Sequence, residues 1–172
     1  RSNYYGNVND YEDIESDMVS AKIESDFSDK VKFTNTTRYG KTQMNRAITG
    51  INTLSRNGST NPNNWTVSRS HQGVDQENKI LANTSTVNFN FKTGAVEHDL
   101  VAGLEFLQEQ QISRTLATQA PGQIPAPATT PANLYNPNRN DVMPKLVYTG
   151  AYTDGETSTA AAYLFNTMKL LN

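Results

Sequence analysis

Arginines and aromatic residues recur in the irregular stretches of this sequence, and together they are the groups that hold a flat, negatively charged ligand. Tyr4 and Tyr5 stand near the start, and Trp65 and Arg69 lie close together further on. Tyr135 and Arg139 are four apart in Asn133-Leu134-Tyr135-Asn136-Pro137-Asn138-Arg139. Aromatic rings stack on planar groups and cover apolar edges, while a guanidinium pairs with anionic oxygens. Each ring could equally serve only to anchor its own loop.

Charge is laid out in blocks. From Arg1 to Lys30 there are eight acids, Asp10, Glu12, Asp13, Glu15, Asp17, Glu24, Asp26 and Asp29, against three basic residues. From Val31 to Val74 there is no acid at all, and the segment carries Lys32, Arg38, Lys41, Arg46, Arg56 and Arg69. A cleft lined by one sign of charge concentrates ligands of the other, so an anionic ligand is the natural inference. The plainer reading is a solvated loop, or one that touches lipopolysaccharide phosphates.

Catalysis finds little support. The two histidines are His71, read as a loop residue, and His98, whose neighbour Asp99 points to the other side of a strand. They form neither a dyad nor a metal cluster. A Walker loop, a GxSxG elbow and an HExxH helix are all missing, so no enzyme activity is expected. The acidic run Asp10 to Asp17 lacks the glycine and spacing of an EF-hand loop and reads as a solvated strand top, with weak cation binding as the alternative. Four Asn-x-Ser/Thr triplets, at Asn35, Asn57, Asn64 and Asn83, are chance matches in a chain rich in these residues.

Long alternating strands must position these groups. Val19, Ala21, Ile23 and Phe27 share one face against Met18, Ser20, Lys22, Glu24 and Asp26, because successive strand side chains point to opposite sides. After the tight turn Phe27-Ser28-Asp29-Lys30, Val31, Phe33, Thr37 and Tyr39 oppose Lys32, Thr34, Thr36 and Arg38. Val87, Phe89 and Phe91 then oppose Thr86, Asn88 and Asn90. Beyond the second turn, Lys92-Thr93-Gly94-Ala95, Leu100, Ala102, Leu104 and Phe106 oppose Glu97, Asp99, Val101, Gly103 and Glu105. A fifth run sets Ala161, Tyr163 and Phe165 against Ala162, Leu164 and Asn166, less cleanly.

A soluble antiparallel sheet with one face on a core would show the same alternation. Length decides against it. Globular strands usually run about 5 to 6 residues and a tilted membrane strand about 9 to 11. The runs Ile14 to Phe27, Val31 to Ile48, Glu77 to Lys92, Ala95 to Ser113 and Glu156 to Leu171 exceed both. Short turns on one side and long irregular loops on the other are the asymmetry of an outer-membrane β-barrel, and Phe27, Phe33, Tyr39, Phe89, Phe91 and Phe106 suit its interfacial girdles. A hydrophobic content of 35% and a mean hydropathy of -0.65 agree, since half of each strand and all the loops face water. No apolar stretch approaches the roughly 18 residues of a membrane helix. The absence of cysteine excludes disulfides and thiolate metal sites.

Five strands cannot close, since barrels have at least about 8 and an open sheet would leave two unpaired edges in lipid. The chain therefore reads as an internal piece of a larger barrel. It shows no signal peptide, starts in loop-like residues, and stops at Leu170-Leu171-Asn172 without a terminal aromatic. Two long outer loops are expected, one in the second half of the acid-free segment and one from Leu116 to Gly155. In the second loop Pro121, Pro125, Pro127 and Pro131 favour extended, unpaired backbone and a mobile tip.

The segments Asp10-Tyr11-Glu12-Asp13-Ile14, Asn35-Thr36-Thr37-Arg38-Tyr39-Gly40, Leu81-Ala82-Asn83, Val101-Ala102-Gly103-Leu104-Glu105-Phe106 and Asn133-Leu134-Tyr135-Asn136-Pro137 carry a further signal. In their order and spacing the chain resembles the TonB-dependent siderophore receptors of Gram-negative outer membranes, and most of all their catecholate branch. The resemblance implies an all-β fold in which residues 1–172 are part of a single barrel domain of about 22 strands, without the plug domain and TonB box. It implies a receptor that binds a ferric siderophore, the aromatic-edged trianion of a catecholate, and imports it with energy passed through TonB. The ferric siderophore is then the transported ligand, with no covalently bound cofactor. Tyr4, Tyr5, Trp65, Arg69, Tyr135 and Arg139 become candidate outer ligand contacts, and Arg38 and Glu105, inward on their strands, candidate lumen or plug contacts. Outer-membrane lipid and lipopolysaccharide are the expected surroundings; the receptor is expected to be a monomer without nucleic-acid partners. A passive porin for small anionic or neutral solutes and a surface adhesive β-protein are the alternatives.

Overall fold

The computed structural model describes residues 3–124 and 128–170. Arg1 and Ser2, Pro125 and Pro127 of the expected proline-rich loop, and Leu171, where the expected fifth run stops, lie outside the described residues. The chain forms β1 (Tyr11–Ser28), β2 (Val31–Ser55), a 3-10 turn (Pro62–Asn64), β3 (Thr66–Thr93), β4 (Val96–Ala117), the short β5 (Ala132–Asn133) and β6 (Val147–Leu170). The long strands pair in the order β1-β2-β3-β4-β6, and β5 pairs with β3. The architecture is all-β and antiparallel, as the alternation requires. No helix among the described residues is long and apolar enough to cross a membrane.

These residues make two compact units. A turn unit comprises Ser16–Thr42, Asn78–Gln111 and Gly155–Asn172; a loop unit comprises Arg1–Glu15, Gln43–Glu77 and Ile112–Asp154.

In the turn unit, cross-strand contacts fix which residues share a face. Arg38 Nε donates to Ser20 Oγ at 3.3 Å, Ser16 and Thr42 hydroxyls meet at 3.0 Å, and Lys32 Nζ lies 3.5 Å from Glu24. These residues form the polar face. On the other, the Phe27 and Phe33 rings are 6.4 Å apart and Phe91 stacks on His98 at 4.6 Å. Asn35 and Thr37 join that face through Asn83 and Ser85, with Asn83 Nδ2 donating to Thr37 Oγ1 at 2.7 Å and Asn35 Nδ2 to Ser85 Oγ at 2.7 Å. This small amide and hydroxyl cluster satisfies its own polar atoms inside an apolar band, where no solvent partner would be available.

The ambiguous fifth run is settled by two contacts. Asn166 bonds His98, which sets Asn166 on the Phe91 face. Tyr163 instead lies over Gly103, where an added Cβ would come within 2.1 Å of the ring. Gly103 is thus a slot for an aromatic side chain on the face that carries Glu105, so Tyr163 and its neighbour Phe165 are not part of the apolar band.

Among the described residues, that band is left largely uncovered. Ile23, Phe27, Leu104 and Leu164 are 63%, 72%, 64% and 66% exposed, and the buried apolar side chains among the described residues, Ala47, Val67 and Ala132, all belong to the loop unit. A soluble sheet buries one face on a core. Here neither face has one, and a continuous exposed apolar band fits hydrocarbon.

The strands run further than the alternation indicated. β2 continues to Ser55 and β3 begins at Thr66, so the first long loop shrinks to a tip at Arg56–Trp65, and Arg69 and His71, expected in a loop, lie in β3. The tip reverses at Asn57-Gly58, both with positive φ, the pairing that tight hairpins favour. The second loop is also shorter than expected and holds β5. The extra strand residues are mostly polar, with Ile51, Leu54, Val67 and Val74 irregularly spaced among them, so they pair by backbone without showing a hydrophobic period.

A Gly103→Ala substitution should lower stability by about 1–3 kcal/mol through overpacking against Tyr163, and Tyr163→Ala in the same protein should relieve part of that loss. Denaturant unfolding in lipid vesicles measures both.

Candidate functional site

The loop unit gathers three separate segments: residues 3–10, the β2–β3 tip and the stretch 128–146. Their joining begins at β5, whose Asn133 and Ala132 pair with Thr66 and Val67. Leu134 N then donates to Trp65 O at 2.9 Å, and Asn133 Nδ2 to Asn63 O at 2.7 Å. Leu134 O in turn accepts the Tyr5 hydroxyl and Asn3 Nδ2. Further along, Val8 N donates to Arg139 O at 2.9 Å. Asn7, 3% exposed, holds the first segment in shape: its amide accepts from Asn9 N and donates to Asp141 O at 2.7 Å.

Trp65, Tyr5 and Tyr135 therefore converge around Leu134. Trp65 is half-buried, its Nε1 donates to Ser59 O at 2.9 Å, and the Arg56 guanidinium lies 5.1 Å from its ring centre, within cation–π reach. Tyr4 and Tyr135 are 57% and 51% exposed. Tyr4 curls over Gly6 and donates to Asn7 O. Tyr135 follows a turn made by Asn133, whose Oδ1 accepts from both Tyr135 N and Asn136 N at 2.9 Å. Arg139 is anchored by its carbonyl while its side chain is exposed.

Arg69 has a different environment from the other candidates. Its side chain is 0% exposed, and its Nη2 lies 2.6 Å from Asp141 Oδ2. Nε and Nη2 both donate to Thr130 O, and Nη1 donates to Tyr5 O and Asn138 O. A guanidinium has five N–H groups, and each has a partner. No donor remains for a ligand in this arrangement. Nearby, His71 Nδ1 meets Pro144 O at 2.7 Å, and Leu116 and Leu146 close over Gly73.

The acid-free block is not a bare cationic surface. Arg46 lies 3.4 Å from Glu12, Lys32 contacts Glu24, and Arg69 contacts Asp141. Blocks that look opposed in sequence pair across the hairpin. Arg56 and Arg139 remain the exposed guanidiniums beside the aromatic cluster. Arg38 and Glu105 belong to the turn unit, where both are exposed. Sequence reasoning missed Arg56 as a partner of Trp65, and it missed Asn7 and Asp141, although Asn7-Val8-Asn9-Asp10 has the composition of a side-chain-capped turn.

Long antiparallel strands joined by short turns and longer loops are the fold of a segment of a TonB-dependent receptor barrel, which the structural neighbours share. The chain is homologous to the catecholate siderophore receptor Fiu of Escherichia coli O6:H1, to which it is 33% identical over 98% of its length. It spans about a fifth of the length of that relative, 21%. The crystal structure of the E. coli ferric-catecholate import receptor Fiu in its open form superimposes with a TM-score of 0.84 at 29% identity, over 96% of this chain and 24% of that one. The siderophore receptor PiuA of Acinetobacter baumannii shares the fold, with a TM-score of 0.73 at 16% identity over 96% of this chain and 25% of that one. No protein-family model matches the chain.

Replacing Asn7 by Ala removes a buried amide bonded to Asn9 N and Asp141 O, and leaves Asp141 O without that donor. The first segment should loosen by about 1–3 kcal/mol, seen as faster hydrogen exchange confined to residues 3–10 and 138–141.

Proposed function

We propose that this chain is part of the barrel wall and outer loops of a TonB-dependent receptor that captures a ferric catecholate siderophore and imports it across the outer membrane. The observation that carries the reading is the aromatic and guanidinium cluster at Leu134, in a chain homologous along nearly its whole length to ferric-catecholate receptors. A ferric tris-catecholate presents flat aromatic edges and net negative charge. Exposed Tyr135 and Tyr4 offer ring faces, Trp65 an indole under a guanidinium, and Arg56 and Arg139 positive charge. Capture combines electrostatic attraction over distance with stacking on contact.

Import then proceeds without covalent chemistry. The ligand is held at the loops and passes through the lumen when TonB, engaged through a plug domain, draws the obstruction aside. Arg38 and Glu105 line that path or meet the plug. The receptor sits in the outer membrane as a monomer, its apolar band against lipid and its outer rim against lipopolysaccharide.

Replacing both Tyr135 and Arg139 by Ala in the intact receptor should weaken binding of a ferric tris-catecholate by about 1–3 kcal/mol, roughly 5- to 150-fold. Wild-type affinity should fall with added salt, because exposed charges are screened over about 8 Å at physiological ionic strength. Fluorescence quenching titrations at two salt concentrations read both effects. Unselective passage of small solutes through the intact protein in bilayers, with no ferric-catecholate binding, would favour a porin instead.

A further inference from the structure

We propose that Arg69 is a positioning residue for ligand capture: it holds the Leu134–Arg139 segment, and with it Tyr135 and Arg139, in the receiving arrangement without touching the ligand. The inference rests on the reading that these loops bind a ferric catecholate. It starts from the placement of the guanidinium's acceptors. Thr130 O and Asn138 O lie on either side of Tyr135 in sequence, and Asp141 Oδ2 lies just beyond Arg139. One side chain therefore closes both limbs of the segment. A bond to Tyr5 O ties in the first segment as well, so both tyrosine-bearing stretches meet at the same fork.

A second anchor makes the arrangement specific. β5 fixes Ala132 and Asn133 to β3 close to Arg69 in sequence, and Ala132 is fully buried there. The segment is thus pinned at its entry by backbone pairing and across its limbs by the guanidinium. Only Arg has the planar, multiply donating head to reach these acceptors together; the compact ammonium of Lys does not. Ordering a loop before the ligand arrives removes that entropy cost from binding, so affinity rises with no new ligand contact. Because the Arg69 charge is buried and paired with Asp141, it adds little to the field that draws an anion in. Positioning and attraction are therefore carried by different arginines, Arg69 for the first and Arg139 for the second.

The test uses the intact receptor and a ferric tris-catecholate, comparing wild type, Arg69→Lys, and Arg69→Gln combined with Asp141→Asn, which leaves net charge unchanged. Heat-modifiable gel migration confirms a folded barrel. Positioning predicts that both variants bind about tenfold more weakly or worse, with the same dependence of affinity on salt as wild type, whereas Arg139→Ala makes that dependence shallower. Retained affinity in Arg69→Lys overturns the proposal, since charge alone would then suffice; so does a shallower salt dependence in the charge-balanced pair, the mark of direct contact. If the variants do not fold, hydrogen exchange on wild type decides. Amides of residues 130–141 protected equally with and without ligand support a preset segment, and protection gained only on binding overturns it. Should wild type bind no ferric catecholate, the receptor reading itself fails, and that result is distinct from binding that Arg69 does not affect.

Discussion

A strand that crosses hydrocarbon finds no water for its backbone or its polar side chains, so each of those groups must be paired within protein. Much of this chain follows from that constraint. The main elements of this chain are long antiparallel strands joined by turns as short as Asp29-Lys30, and their ladders pair the backbone. The polar residues on the apolar face, Asn35, Thr37, Asn83 and Ser85, are bonded to one another. The apolar residues around them have no core, as the proposed placement against lipid would require. That is why Phe27 and Leu104 are well exposed while the described residues of the turn unit bury no large apolar side chain.

The loop unit meets the opposite situation. It is surrounded by water, lacks extensive apolar burial, and is held mainly by polar contacts. Asn7, Asn133, Arg69 and Asp141 each bond backbone groups or charges from distant parts of the chain. A buried guanidinium is tolerated only when its charge and its donors are all matched. At Arg69 they are, and removal of any one partner would strand the rest. Polar networks of this kind fix a geometry more sharply than they add stability, which suits a surface that must present rings and charges in a set arrangement.

How much of this was legible in the sequence depended on which solvent each residue meets. Where one face meets lipid, as at Val19 to Phe27 or Leu100 to Phe106, the period of two is strong and the strands are readable. From Thr49 to Ser55 and from Thr66 to Gln76 the few apolar residues, Ile51, Leu54, Val67 and Val74, do not alternate regularly with polar ones, so the period fades and the pattern reads as loop. The run of Ala161, Tyr163 and Phe165 against Ala162, Leu164 and Asn166 stays ambiguous in sequence because nothing in composition reveals that Gly103 leaves a slot for Tyr163. The site residues Tyr5, Trp65 and Tyr135 could be gathered by type alone, and the loop unit does bring them around Leu134. The division of labour among the arginines could not. The burial of Arg69 depends on Thr130, Asn138 and Asp141, contacts far apart in sequence that no local pattern encodes.

The central claim is that the Leu134 cluster receives a ferric catecholate while Arg69 stays in place beneath it. A structure of the intact receptor with a ferric tris-catecholate bound, its iron located by anomalous scattering, tests this most directly. The account predicts the chelate against Tyr135 and Arg139, with Arg69 still bonded to Thr130 and Asp141. Iron located away from these loops, or Arg69 turned out of its pocket to meet the chelate, would contradict it.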